Sequence, residues 1–165
     1  MTATITMKVC TGSNAGTETT GTNWNLMSTD AYDATGTSYQ TNNIQIPAAG
    51  TNYSYERVLR WEFTSTFTEI TNVKVWASTL SLPTNCSMFG GETDTGATPT
   101  DSDSSIATTS MPTSVGSAFD ITPSGGITSS GDKTDYLYVQ LDVPSTVTTT
   151  GDSSTQTLTV QYDES

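Results

Sequence analysis

Four stretches of this chain alternate apolar and polar residues with a period of two, and no stretch keeps a helical apolar period over three turns. That spacing sends successive side chains to opposite faces of an extended strand, so the chain has to fold as β-structure with one face of each strand buried. Ala3 to Cys10 sets Ile5, Met7 and Val9 against Thr4, Thr6 and Lys8. Tyr53 to Phe67 carries Tyr53, Tyr55, Leu59, Trp61 and Phe63 on one parity and Ser54, Glu56, Arg60, Glu62 and Thr64 on the other. Arg57 and Val58 interrupt it, which predicts a bulge or a shielded Arg57. Tyr136 to Val143 opposes Leu137, Val139, Leu141 and Val143 to Tyr136, Tyr138, Gln140 and Asp142, and Thr155 to Tyr162 places Leu158, Val160 and Tyr162 on its apolar side.

A shorter run, Ile70 to Ala77, puts Val73, Val75 and Ala77 on one face and follows Phe67 after a Thr-rich connection. The two segments read as an antiparallel pair at the centre of the fold. The last two alternating stretches, joined by Pro144 to Ser154 with its Gly151-Asp152 turn, read as a hairpin that completes a sheet. Ile44 and Ile46 suggest a short strand ended by Pro47, and Trp24 to Met27 another short strand or turn. Thr11 to Thr22, rich in Gly, Thr and Asn, reads as a surface loop. Residues 83–130 carry Pro83, Pro99, Pro112 and Pro123 and read as a long irregular region, with short strands only near Ser105 to Thr109 and Ala118 to Ile121. A loop of that length is either functional or poorly ordered, and it is the first choice for a partner contact. Ser and Thr make up about a third of the chain, and β-branched Thr favours strands over helices. The expectation is one all-β domain over residues 1–165, an antiparallel β-sandwich of immunoglobulin-like or jelly-roll type.

The chemistry available to such a domain is narrow. The chain has no histidine, which removes Ser-His and Cys-His nucleophile pairs and His-based metal sites. Seventeen Asp and Glu against five Lys and Arg give a net charge of −12, which opposes binding to nucleic-acid phosphates and to anionic membranes. Glu56, Glu62 and Glu69 are the acid-base groups on offer, and they read as solvated surface charge rather than as a glycosidase pair. Asp94, Asp101 and Asp103 supply calcium-type oxygens without the order of an EF-hand loop. Cys10 and Cys86 read as two free thiols, with a single disulfide as the alternative. Trp61 reads as core, whereas Trp76, beside Lys74 and opposite Val73, Val75 and Ala77, reads as a subunit contact in preference to a ligand platform. No catalytic, cofactor-binding or metal-binding residue is assigned, and no cofactor is expected.

The runs Ala3 to Gly12 (ATITMKVCTG), Val73 to Trp76, Lys133 to Leu137 and Leu158 to Glu164 resemble small β-sandwich structural proteins of tailed bacteriophage virions. The resemblance implies a non-enzymatic particle protein, a capsid decoration or auxiliary head protein, made in the host cytoplasm and resident in the virion. Its implied partners are the major capsid protein or other virion subunits, in repeated copies or as a homo-oligomer. That expectation agrees with Met1 to Cys10, which reads as a strand rather than a signal peptide, and with the absence of any long apolar stretch. The alternative is a carbohydrate-binding or receptor-binding adhesive module of the same fold class.

Overall fold

A computed structural model describes residues 2–21, 24–29, 42–149 and 155–165. Among these residues ten strands occur in the order β1 (Thr4–Thr11), β2 (Thr17–Thr20), β3 (Thr51–Tyr53), β4 (Arg57–Thr64), β5 (Ile70–Thr79), β6 (Ser87–Thr93), β7 (Thr109–Ser110), β8 (Phe119–Asp120), β9 (Tyr136–Pro144) and β10 (Thr157–Glu164). They form a large antiparallel sheet in the order β2-β1-β4-β9-β6-β7, with β3 added to β9, and a small one in the order β10-β5-β8. The two sheets pack into a sandwich.

The connectivity is set by two arches. The β4–β5 link leaves the large sheet and enters the small one, and the β9–β10 link does the same, so β4 and β9 are neighbours in one sheet and β5 and β10 in the other. This corrects the antiparallel pair and the hairpin expected above. Two strands with apolar faces can pair edge to edge or stack face to face, and an alternating pattern is satisfied by either arrangement. The order β1-β4-β9-β6 over β5-β10 reproduces the A-B-E-D and C-F neighbours of an immunoglobulin-like sandwich.

The predicted break at Arg57 is a bulge. Tyr53 lies opposite Asp142 and Arg57 opposite Val139, so one extra residue is accommodated between β3 and β4. Ser54 holds the gap closed, with its N–H on the Leu141 carbonyl at 2.8 Å and its Oγ accepting from the Leu141 N–H at 2.9 Å. Arg57 is 1% exposed and donates Nε to the Asn25 carbonyl at 3.1 Å, so it is indeed shielded.

Between the sheets lies the main core, with Val9, Leu59, Trp61, Phe63, Leu137 and Val139 facing Val73, Val75 and Ala77. The 83–130 region contributes β6, β7 and β8 between irregular segments and is built into that core. β6 is an interior strand of the large sheet, and Met111, Phe119, Ile121 and Ile127 are all buried against the sandwich. Its signature was masked by Gly90-Gly91, which break strand propensity but are required by close packing. A Cβ on Gly90 would meet the Phe119 ring at 2.6 Å, and one on Gly91 would overlap the Ile106 carbonyl group.

Three smaller expectations also change. The Thr11 to Thr22 loop contains β2, which folds back on β1 through a 3-10 turn at Ser13–Ala15. Positive φ at Gly12 (81°) makes that reversal possible. Ile44 and Ile46 form no strand, and neither do residues 24–27; the second of these segments is held by the Tyr55 N–H on the Met27 carbonyl at 2.7 Å. The Gly151-Asp152 turn lies outside the described residues.

Candidate functional site

Two surfaces carry most of the polar chemistry of this sandwich. The first is the outer face of the large sheet, where the alternation of β1 and β4 places Lys8, Arg60 and Glu62. Glu18 on β2 stands at their centre. It accepts from Arg60 Nη1 at 3.2 Å and forms a close ion pair with Lys133 Nζ, while Lys8 pairs with Glu62 at 2.7 Å. Arg60 also lies over the Tyr136 ring, 4.2 Å from its centroid, and donates Nε to the Thr134 carbonyl at 2.8 Å. With Arg57 buried, four of the five cationic side chains are committed to the fold, and Lys74 on β5 makes no ion pair among the described residues.

The second surface is a polar clasp lower on the same sheet. Glu56 was expected to be solvated, but it is 2% exposed because residues 94–108 fold across this face. The Thr100 N–H donates to Glu56 Oε2 at 2.9 Å, and Ser104 Oγ donates to Oε1 in a close contact. Ser104 Oγ in turn accepts from the N–H groups of Ile106 and Ala107 at 2.9 and 2.7 Å. Gln140 on β9 completes the clasp: Nε2 donates to the Ser54 and Ser102 carbonyls, and Oε1 accepts from the Ser104 N–H. A buried carboxylate with its oxygens satisfied in this way holds a loop in place.

Between the clasp and the ion pairs, the loop covers a second apolar cluster of Cys10, Ala15, Val58, Ala107 and Tyr138. Tyr138 Oη donates to the Ala97 carbonyl and accepts from its N–H, tying down the near end of the loop. Burial, and secondarily the Glu18 charge, push the Cys10 thiol up to about 12, which disfavours the thiolate in the folded chain. Both cysteines are free thiols, Cys10 buried and Cys86 half-buried.

No family model, curated protein or solved structure matches this chain. What the site can do therefore rests on its own geometry. Glu62 is paired with Lys8, Glu56 is enclosed in the clasp, and Glu69 lies at the end of the first arch, so the three carboxylates do not face one another across a cleft. Asp94, Asp101 and Asp103 are exposed, and among the described residues no group of three or more His, Cys, Asp or Glu side chains is placed to hold a metal ion. Asp142 and Asp135 have carboxyls raised above the usual range, chiefly by burial and next by neighbouring Asp103 and Asp94 respectively.

The aromatic residues are similarly absorbed. Trp61 is core, Trp24 packs against the core, and Tyr162 meets Phe63 edge to face at 4.9 Å. Trp76 is half-buried on the outer face of the small sheet, level with Thr159 of β10. No described aromatic is fully exposed. Among the described residues no helix is long and apolar enough to cross a membrane.

The feature that sequence reading missed is an edge. β10 is eight residues long and pairs on one side with β5; among the described residues no strand pairs with its other side. The other sheet ends are short: β2 has four residues, and β7 and β8 two each. The signal was present in the sequence, since Thr157 to Glu164 contains neither Lys nor Pro. Without strand order it could not be assigned to an edge.

Proposed function

We propose that this chain is a non-enzymatic structural subunit of a bacteriophage particle, a capsid-associated decoration or auxiliary head protein that binds neighbouring subunits. The observation that carries the reading is the β10 edge, long, regular and free of the Lys and Pro residues that ordinarily blunt an unpaired edge. A sandwich that holds Lys8, Arg60 and Lys133 in internal ion pairs and buries Arg57, and whose acidic groups form no catalytic arrangement among the described residues, has its remaining chemistry in edges and loops. The clasp and the second apolar cluster keep the 94–108 loop rigid, which suits a subunit repeated at fixed positions. Residence in the virion and contact with the major capsid protein belong to the same proposal.

The test is gradient purification of particles from the source culture, followed by quantitative mass spectrometry for this chain. Co-migration with the major capsid protein in a fixed copy ratio is the expected result; absence from purified particles refutes it. A carbohydrate-binding or receptor-binding role draws on one feature, the half-buried Trp76 beside Lys74. Glycan-array binding that is lost in Trp76→Ala would favour it.

A further inference from the structure

β10 is open in a particular way. Its inward side chains Leu158, Val160 and Tyr162 are only partly buried, whereas Val73, Val75 and Ala77 on the adjoining β5 are 0 to 1% exposed. The large sheet shows the matching deficit. Tyr162 packs on Phe63 of β4, and the Ala3 N–H reaches Glu164 Oε2 at 2.9 Å, so β10 lies beneath β4 and meets the start of β1 at its far end. The small sheet stops there while the large one continues through β1 and β2. Ile5 and Met7, on the inner face of β1, are accordingly half-buried where Val9 is fully buried. Five apolar side chains thus border a slot beside β10 and beneath β1 that no strand fills among the described residues, in the position of the seventh strand of an immunoglobulin-like sandwich.

The slot is suited to pairing. Both register shifts between β5 and β10 arise from extra residues on β5, one of them beside Asn72, whose φ is 51°. β10 itself therefore keeps an uninterrupted ladder on its open side. At the Glu164 end the slot opens into a groove of about 530 Å³ lined by Thr2, Thr66, Phe67, Thr68, Glu164 and Ser165.

We propose that this slot accepts one extended segment of another polypeptide, apolar at alternate positions and carrying Lys or Arg where it passes Asp163 and Glu164. A single strand is specified because the overhang of β1 and β2 fills the space that the body of a second sandwich would need beside β10. A basic end is specified by Asp163 and Glu164, whose carboxylates accept from neutral donors, the Asn72 amide at 2.6 Å and the Ala3 N–H at 2.9 Å, and by the net charge of −12. Main-chain hydrogen bonds to the edge supply the affinity, and alternate side chains beneath Ile5 and Met7 supply the specificity.

The proposal rests on the subunit-binding reading, but the two fail separately. A chain that takes the segment yet is missing from particles fails only the first, and one that sits on particles with β10 still exchanging freely fails only the second. The probe is a synthetic peptide of two lysines followed by four Val-Thr repeats, added to the full chain and followed by amide hydrogen exchange. Alternate amides of Thr157–Glu164 are expected to exchange freely in the isolated chain and to become protected with the peptide. Affinity should fall by about tenfold for the same composition with the valines grouped together, and likewise when the lysines are replaced by glutamates. Val160→Lys should weaken binding at least as much, and the two peptide controls keep the result readable if that variant unfolds. Slow exchange of all β10 amides in the isolated chain would show the slot already filled and overturn the proposal. Equal binding of the grouped peptide would do the same, as would β10 protection that grows with protein concentration alone, which would identify a second copy as the occupant.

Discussion

Gly91 is the position at which one methyl group should separate the covering loop from the sandwich. A Cβ built there would lie 2.7 Å from the Ile106 carbonyl carbon, against an ordinary contact distance of 3.4 Å or more, and nearer still to its oxygen. The obstructing atoms are backbone, so no rotamer change relieves the overlap; residues 104–108 must lift. Lifting strains or breaks the two hydrogen bonds that Ser104 Oγ accepts, at about 1 kcal/mol each. Overpacking against a fixed backbone adds about 1–3 kcal/mol. Gly91→Ala should therefore destabilise the closed loop by at least about 3 kcal/mol. Cys10 reports the opening directly, because it is 1% exposed beneath the loop. If the sandwich survives while the loop opens, the rate of Cys10 labelling by a thiol reagent should rise by about a hundredfold, with half-buried Cys86 as internal reference. Gly116→Ala is the control. A Cβ there meets nothing within 4 Å, so the change should be neutral or stabilising by up to about 1 kcal/mol. A Gly91→Ala protein that melts like the parent and leaves Cys10 unreactive would refute the reasoning.

Other substitutions test the polar surfaces. Ser104→Ala removes one donor to Glu56 and one acceptor for two N–H groups, and should cost about 2–3 kcal/mol in urea unfolding, whereas the exposed neighbour Ser105→Ala should cost almost nothing. Arg60→Met keeps the hydrocarbon stem but loses the Tyr136 stacking and the Glu18 pair, for an expected loss of about 1–2 kcal/mol that shrinks in high salt. Asp142 has a folded-state carboxyl raised by burial and by Asp103, so the folded chain holds its proton to higher pH than the unfolded chain. Its ionisation therefore disfavours folding at neutral pH, and Asp142→Asn should raise the melting temperature at pH 7. That advantage should disappear as the pH falls below the unfolded carboxyl value of about 3.9.

Strand existence was written in the alternation, and strand partnership was not. Ile5, Met7 and Val9 alternate because β1 buries one face, and the break before Arg57 marks a true bulge. The pattern cannot distinguish a hairpin from an arch, because the side chains of β4 are equally buried whether β5 lies beside it or beneath it. The sites were less legible for a related reason. Glu56 has the outward parity of a solvated residue, yet its environment is set by a loop more than forty residues away in sequence. Gly90 and Gly91 argue against a strand when read locally, and become necessary only once Phe119 and Ile106 are brought against them. Arg60, Glu18 and Lys133 are scattered through the chain, and it takes the pairing of β1 with both β2 and β4, together with the bridge between Glu62 and Lys133, to assemble them.

The distribution of charge follows from the same topology and bears on assembly. Lys8, Arg60 and Lys133 neutralise Glu18 and Glu62 on one face, so the remaining acidic residues dominate the rest of the surface. A chain at −12 resists association with its own copies at low salt and favours a basic partner. An unblunted edge strand ordinarily invites promiscuous self-pairing, and here that hazard is limited by charge repulsion and by the overhang of β1 and β2. Neither restraint excludes a slender basic strand. On the proposed reading the features that limit self-pairing also select the partner, and added salt should act on the two processes in opposite directions: it should promote self-association while weakening capture of the lysine-bearing peptide.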